Sequence, residues 1–160
     1  MLTTTFGVGQ QIADALHRGV EHIVLAIGGS STNDAGIGMA TALGWQFLDE
    51  NGKALPPVGS NLSRIMTIVP PENRPQVSVE VICDVDNPLF GPMGAARVYA
   101  RQKGADDAMI LQLDEGLQHF SKLAAKTGAA PDPEFPGAGA AGGMGFGAMY
   151  FLNAEIRRVA

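Results

Sequence analysis

The stretch Gly28-Gly29-Ser30-Ser31-Thr32-Asn33-Asp34-Ala35-Gly36 separates an unbroken apolar run, His22 to Ile27, from a run of mostly small residues, Ile37 to Leu43. The apolar run reads as a buried strand, and the segment from Ala35 to Leu43 as a helix. The two glycines let the backbone turn and expose its amides, and polar side chains follow where a helix cap belongs. Free amides at a helix N-terminus carry partial positive charge, so the loop reads as a cradle for phosphate or carboxylate. Gly28, Gly29, Ser30 and Asn33 are its candidate donors, with Asp34 beside them as a candidate base or metal ligand. The same order also describes a plain capped strand-to-helix turn.

A second glycine-rich segment, Pro136-Gly137-Ala138-Gly139-Ala140-Ala141-Gly142-Gly143-Met144-Gly145, runs into Phe146 to Leu152. Gly137 to Gly142 matches the dinucleotide pattern G-x-G-x-x-G formally. That fingerprint needs a strand before it and an acidic residue about twenty positions after it. Pro131, Pro133 and Pro136 forbid a central strand, and no second strand carries the acid, so a nicotinamide site is excluded. What remains is a backbone able to approach a ligand or another helix closely, with Gly139, Gly142 and Gly143 as candidate ligand contacts.

The rest of the chain reads as one α/β unit. A helix is expected from Gly9 to Arg18, closed by Gly19. A strand over Trp45 to Leu48 leads to the hairpin signal Asn51-Gly52. Ser60 or Asn61 caps a short turn before a segment from Ile65 to Val69, and Pro70 to Pro75 is a loop. Val77 to Cys83 is the clearest strand, and it delivers Asp84 and Asp86 at its C-terminal end. Alternation puts both carboxylates on one side of an extended chain, a costly pairing unless a cation lies between them. Asp86-Asn87-Pro88 also reads as a turn held by side-chain hydrogen bonds. Asp106 to Lys126 is the longest helix, with Met109, Ile110, Leu113, Leu117, Phe120 and Ala124 as its core stripe. Asp114, Glu115, Gln118, His119 and Lys122 fall on its polar side.

Composition narrows the class. With 160 residues, 46% of them hydrophobic, the chain can bury a core for one domain. A net charge of −5 with no Lys/Arg stripe argues against nucleic acid. No apolar run approaches the roughly 20 residues of a membrane span. The single cysteine, Cys83, excludes an internal disulfide and suits a reducing, cytoplasmic setting, where it reads as a small buried hydrophobe. The three histidines form no metal-ligand spacing.

Four segments together resemble the bacterial glycerate kinase family. They are Ile27 to Asp34, Cys83-Asp84-Val85-Asp86-Asn87-Pro88-Leu89-Phe90-Gly91-Pro92, Gln102-Lys103-Gly104-Ala105, and Pro136 to Gly145. The resemblance covers about Leu2 to Ile156. Ser31 stands where the family often has alanine, Ala35 where it often has glycine, and Arg101 where proline is common.

The resemblance implies an α/β domain with a mixed sheet, part of a two-domain fold whose active site lies in the interdomain cleft. Residues 1–160 would be the central portion of an enzyme more than twice as long, which begins with a nucleotide-site strand and helix and ends with further α/β units. The implied activity is transfer of the ATP γ-phosphoryl group, with Mg2+, to the 2- or 3-hydroxyl of D-glycerate. Such chemistry needs a carboxylate near the attacking hydroxyl, oxygen ligands for magnesium, and cations for the substrate carboxylate. Asp34, Asp84 and Asp86 are the candidate acids, the last two also as metal ligands, and Arg97, Arg101 and Lys103 the candidate cations. On this reading the isolated chain is inactive or nearly so, and self-association or partner segments would complete the cleft. The rival reading is a non-catalytic remnant or small-anion-binding module.

Overall fold

The computed structural model describes residues 1–159. The chain forms α1 (Phe6–His17), β1 (His22–Ala26), α2 (Ile37–Ala42), β2 (Gln46–Leu48), β3 (Thr67–Val69), β4 (Ser78–Cys83), α3 (Ala95–Tyr99), α4 (Asp107–Ala125), α5 (Ala140–Leu152) and β5 (Glu155–Arg158). Short 3₁₀ turns cover Gly59–Arg64 and Arg101–Lys103. The α/β class holds, with strands divided between two sheets. One is parallel, ordered β1-β4-β5, and the other is the antiparallel pair β2-β3. Leu25, Val81 and Ile156 lie in register across the parallel sheet. No helix among the described residues is long and apolar enough to cross a membrane.

The core sits between that sheet and the helices. Trp45, Phe47, Phe120, Phe146, Tyr150 and Phe151 pack with ring centroids 4.9–6.4 Å apart, joining the β2 hairpin region to α4 and α5. On α4, Ile110, Leu113, Leu117, Phe120 and Ala124 are buried as the stripe predicts, and the Asp106 carboxylate caps the helix by accepting from Met109 N at 2.8 Å. Met109 departs from the stripe at 38% exposure.

Several boundaries and environments differ from the sequence reading. β1 is an edge strand, with Val24 half exposed, because β4 pairs it on one side only. α2 starts two residues late, since Ala35 (φ 53°) and Gly36 (φ 76°) hold left-handed conformations that no right-handed helix continues. The Asn51-Gly52 turn closes through Asp49 N to Lys53 O at 2.9 Å, yet its return arm makes a single bridge, Leu48–Ala54, and β2 takes β3 as its partner. Asp114 is buried rather than solvated, because it accepts from Gly91 N at 2.9 Å and Arg97 Nε at 3.0 Å. His119 is half-buried, its Nε2 2.7 Å from Ile65 O.

Candidate active site

β1 and β4 are parallel neighbours, so the loops leaving their C-terminal ends meet, which is the usual ligand side of such sheets. There they enclose an open cavity of about 240 Å³, lined by Ile27 to Ser30, Asp84, Val85, Tyr99, Gln102, Lys103 and Ala141. Of the sequence candidates, Gly28, Gly29, Ser30, Asp84 and Lys103 are therefore brought together.

The glycine loop is pinned through its carbonyls, not its amides. Thr3 Oγ1 donates to Ser31 O at 2.9 Å, and Lys103 Nζ donates to Thr32 O at 2.7 Å across 71 positions of sequence. Ser30 Oγ accepts from Thr32 N at 3.1 Å and lies 2.9 Å from Thr32 Oγ1, which fixes the turn. The backbone amides of Gly28, Gly29, Ser30 and Ser31 have no protein acceptor among the described residues. Unpaired amides beside a lysine are the donor set an anion needs. Burial lowers the pKa of the Lys103 ammonium, and Asp34 draws it partly back.

Asp34 does not face the cavity. It is fully buried, and its carboxylate accepts from Thr5 N (2.8 Å), Thr5 Oγ1 (2.9 Å), Gly36 N (3.0 Å) and Gly38 N (3.3 Å). Thr5 Oγ1 in turn accepts from Met39 N at 2.9 Å, so Asp34 and Thr5 tie the start of α1 to the start of α2. Burial raises the Asp34 pKa against the pull of those donors. This geometry is that of a structural latch and corrects the reading of Asp34 as a base. Asn33 also points elsewhere: it is 7% exposed, its Oδ1 is unpartnered, and it borders a separate cavity of about 40 Å³ with Thr3 and Lys103.

The acidic pair separates. Asp84 is exposed and lines the cavity, whereas Asp86 is bound by Arg158 Nε at 2.6 Å. The cause is register, since β5 places Arg158 opposite Cys83 and within reach of Asp86. Arg158 thus engages Asp86 while Asp84 stays open to the cavity, and the described residues hold no cluster of three or more His, Cys, Asp or Glu that could hold a metal ion. Arg97 is held by Asp114, and Arg101 pairs with Asp107. Both arginines lie outside the lining of the cavity.

Gly139, Gly142 and Gly143 are buried and contact protein. A methyl group on Gly139 would lie 2.2 Å from Pro88 O, one on Gly142 2.0 Å from Thr32 O, and one on Gly143 2.9 Å from Leu89 Cδ1. The backbone approach inferred from sequence is made to other loops. Ala141 (φ 53°), Gly142 (φ 68°) and Gly143 (φ 91°) form a left-handed turn within α5, and Ala35 N donates to Gly142 O at 3.1 Å. Of this turn only Ala141 reaches the cavity. Tyr99 and Gln102 were missed in the sequence. Their signal is the i, i+3, i+4 spacing of Tyr99, Gln102 and Lys103, which sets them on one helical face. Cys83 is buried, and its pKa is raised by that burial.

The sequence model of the Glycerate kinase family matches residues 1–160. The chain belongs to the glycerate kinase family. It is 48% identical over 158 residues to a glycerate kinase of Halalkalibacterium halodurans, covering 96% of this chain and 41% of that one. It is 42% identical over 160 residues to the glycerate 2-kinase of Escherichia coli strain K12, with 98% and 42% covered. A crystal structure named for glycerate kinase 2 of Salmonella typhimurium LT2 superposes with a TM-score of 0.92 at 41% identity, covering 98% of this chain and 42% of that one. The chain thus spans about two fifths of the length of the family relatives it matches, consistent with one domain of a two-domain fold.

Proposed function

We propose that this chain supplies the phosphoryl-acceptor wall of an ATP-dependent glycerate kinase. The observation that carries the reading is the convergence of three residues with unpaired loop amides, Gly28, Gly29 and Ser30, with Lys103 and the Asp84 carboxylate at the C-terminal ends of β1 and β4. Amides from Gly28 to Ser30 hold phosphoryl oxygens, and Lys103 attracts the glycerate carboxylate. Asp84 takes the proton of the attacking hydroxyl as its oxygen bonds to the γ-phosphorus, the β–γ bridging bond breaks, and ADP leaves. The 2-hydroxyl is the proposed acceptor, after the name of the Escherichia coli relative. Magnesium usually takes one or two carboxylates plus phosphate and water oxygens. Asp84 is the one carboxylate among the described residues that lines the cavity, and with it acting as base the ion would rest on phosphate and water oxygens and supply charge neutralisation at the phosphates.

Turnover is proposed to require family segments beyond the two fifths matched here, in keeping with a cytoplasmic enzyme whose cleft has two walls. The rival is an anion-binding module without turnover, favoured by the completeness of the donor set within this chain alone. ADP release coupled to a reporter, with D-glycerate and Mg-ATP, separates them. It is run on this chain and on a chimera in which it replaces the matched region of the Escherichia coli enzyme. The chimera is expected to turn over at roughly 1–100 s⁻¹, and the chain alone far more slowly. A folded chimera that binds inorganic phosphate yet releases no ADP would leave the binding module standing.

A further inference from the structure

Asn87 belongs to none of the roles above, yet it bonds to two of the elements that line the cavity, the glycine-rich turn and the helix bearing Tyr99. The proline at position 88 confines Asn87 to extended backbone, so its side-chain direction is set locally. Its carbonyl oxygen accepts from Gly139 N at 2.9 Å, in the glycine-rich turn that carries Ala141. Its Oδ1 accepts from Tyr99 Oη at 2.9 Å, on the helical wall that continues to Gln102 and Lys103. Its Nδ2 donates to Met93 O at 2.7 Å, which orients the amide because a carbonyl can only accept. Asp84 itself lies three positions upstream, on a segment with no regular secondary structure.

The carboxylate, the ammonium and the left-handed turn thus come from three separate parts of the chain; the Asn87 backbone carbonyl meets the turn, and its side chain ties the Asp84 segment to the wall bearing Tyr99 and Lys103. Without that junction, nothing in the 84–88 segment links Asp84 to the wall bearing Lys103. Arg158 holds Asp86 toward β5, and Cys83 Sγ makes a long contact of 3.6 Å to Val85 O, both on the far side. We propose that Asn87, with Tyr99 as its partner, is a positioning residue that sets the spacing between Asp84 and Lys103 and so selects a small hydroxy acid over a bare anion. The selection rests on the glycerate reading above; the junction itself does not. A hydroxy acid must meet both walls at once, through its carboxylate and its hydroxyl, whereas inorganic phosphate needs the loop amides and Lys103 but not Asp84.

Two variants test this on the 160-residue chain, Asn87→Ala and the milder Tyr99→Phe, which removes one oxygen. NMR titrations with D-glycerate and with inorganic phosphate are followed at the Gly28, Gly29 and Ala141 amides. Asn87→Ala is expected to weaken D-glycerate at least tenfold and Tyr99→Phe about threefold, with phosphate affinity within twofold in both. A merely structural role would weaken both ligands together and lower the melting temperature in step, which would overturn the proposal. Amide hydrogen exchange provides a readout without any ligand. Residues 84–87 and 99–103 are expected to exchange at least tenfold faster in Asn87→Ala, and measurably faster in Tyr99→Phe, while α4 is unchanged. Unaltered exchange in both segments, or equal acceleration everywhere, would also overturn it, whether or not Asn87→Ala folds, since Tyr99→Phe reports on its own. A wild-type chain that ignores D-glycerate, with the paired acceleration still seen in the two variants, would sink the glycerate reading and leave the junction intact.

Discussion

The two glycine-rich segments use the same residue for opposite ends. At Gly28 and Gly29 a methyl group would meet nothing within 4 Å, and the loop amides stand open. At Gly139, Gly142 and Gly147 a methyl group would lie 2.0–2.2 Å from a backbone oxygen of another segment, and at Gly145 2.0 Å from Gly137 O within its own. The first loop leaves both glycines uncovered, Gly29 holding a left-handed φ of 67°, and no other part of the protein comes near them. The second needs glycine so that other backbone can come near, and through Gly142 it braces the back of the first at Thr32. Glycine density therefore does not by itself say whether a segment is closely approached; that is set by topology.

Substitutions can break that contrast. Gly142→Ala combines a left-handed φ of 68° with a backbone clash at 2.0 Å, and is expected to destabilise by about 4 kcal/mol or more in urea or thermal melts. A melt within about 1 kcal/mol of wild type would show that the second segment tolerates side chains as the first does. Asp34→Asn comes next, at about 2–3 kcal/mol, because an amide nitrogen would face backbone donors that need an acceptor. Were it to spare stability and abolish activity instead, Asp34 would regain a chemical role.

In the chimera, Asp84→Asn is expected to cut kcat about 100-fold, equivalent to about 2.7 kcal/mol of barrier, with Asp86→Asn within about twofold. Equal losses from the two would restore the acidic pair. Lys103 sharpens the comparison through pH. Its folded pKa is lowered from 10.5 by burial, so phosphate affinity should fall as pH rises through that lowered value, before an ordinary lysine would titrate. Between the folded value and 10.5 the unfolded chain binds more protons, so this group makes stability rise with pH across that window. Lys103→Met should flatten both curves in NMR titrations and chemical melts. The smallest effect is expected from Gly28→Ala, under about 0.5 kcal/mol of stability, with a loss of phosphate affinity as its only clear readout.

Local physics was legible in the sequence. α4 announced itself through its stripe and the Asp106 cap, and the strand-loop-helix order around Gly28 led to the cavity. What failed were properties that depend on a partner far along the chain. Asp34 looks solvent-facing until Thr5 supplies two donors to it, and Asp86 looks paired with Asp84 until Arg158 arrives from 72 positions away. Arg97 looks solvated until Asp114 is found buried beside it. β1 reads as interior because an apolar run has the same letters at the centre of a sheet and at its rim. Tyr99 carries no sequence signal of its own for a site because its helix is short, and Gln102 stands out only as part of the Gln102-Lys103-Gly104-Ala105 motif.

The open side of β1 bears on how this chain behaves in a tube. A rim strand offers an unpaired ladder of N–H and C=O groups, a template for any extended chain that drifts against it. Natural rims are usually guarded by lysine, proline or a bulge, and His22-Ile23-Val24-Leu25-Ala26 has none of these. The strand most exposed to such pairing in the 160-residue form is therefore five residues that take no part in the proposed chemistry. Crowding the sample should invite ribbon-to-ribbon growth well before the helical side of the molecule loosens.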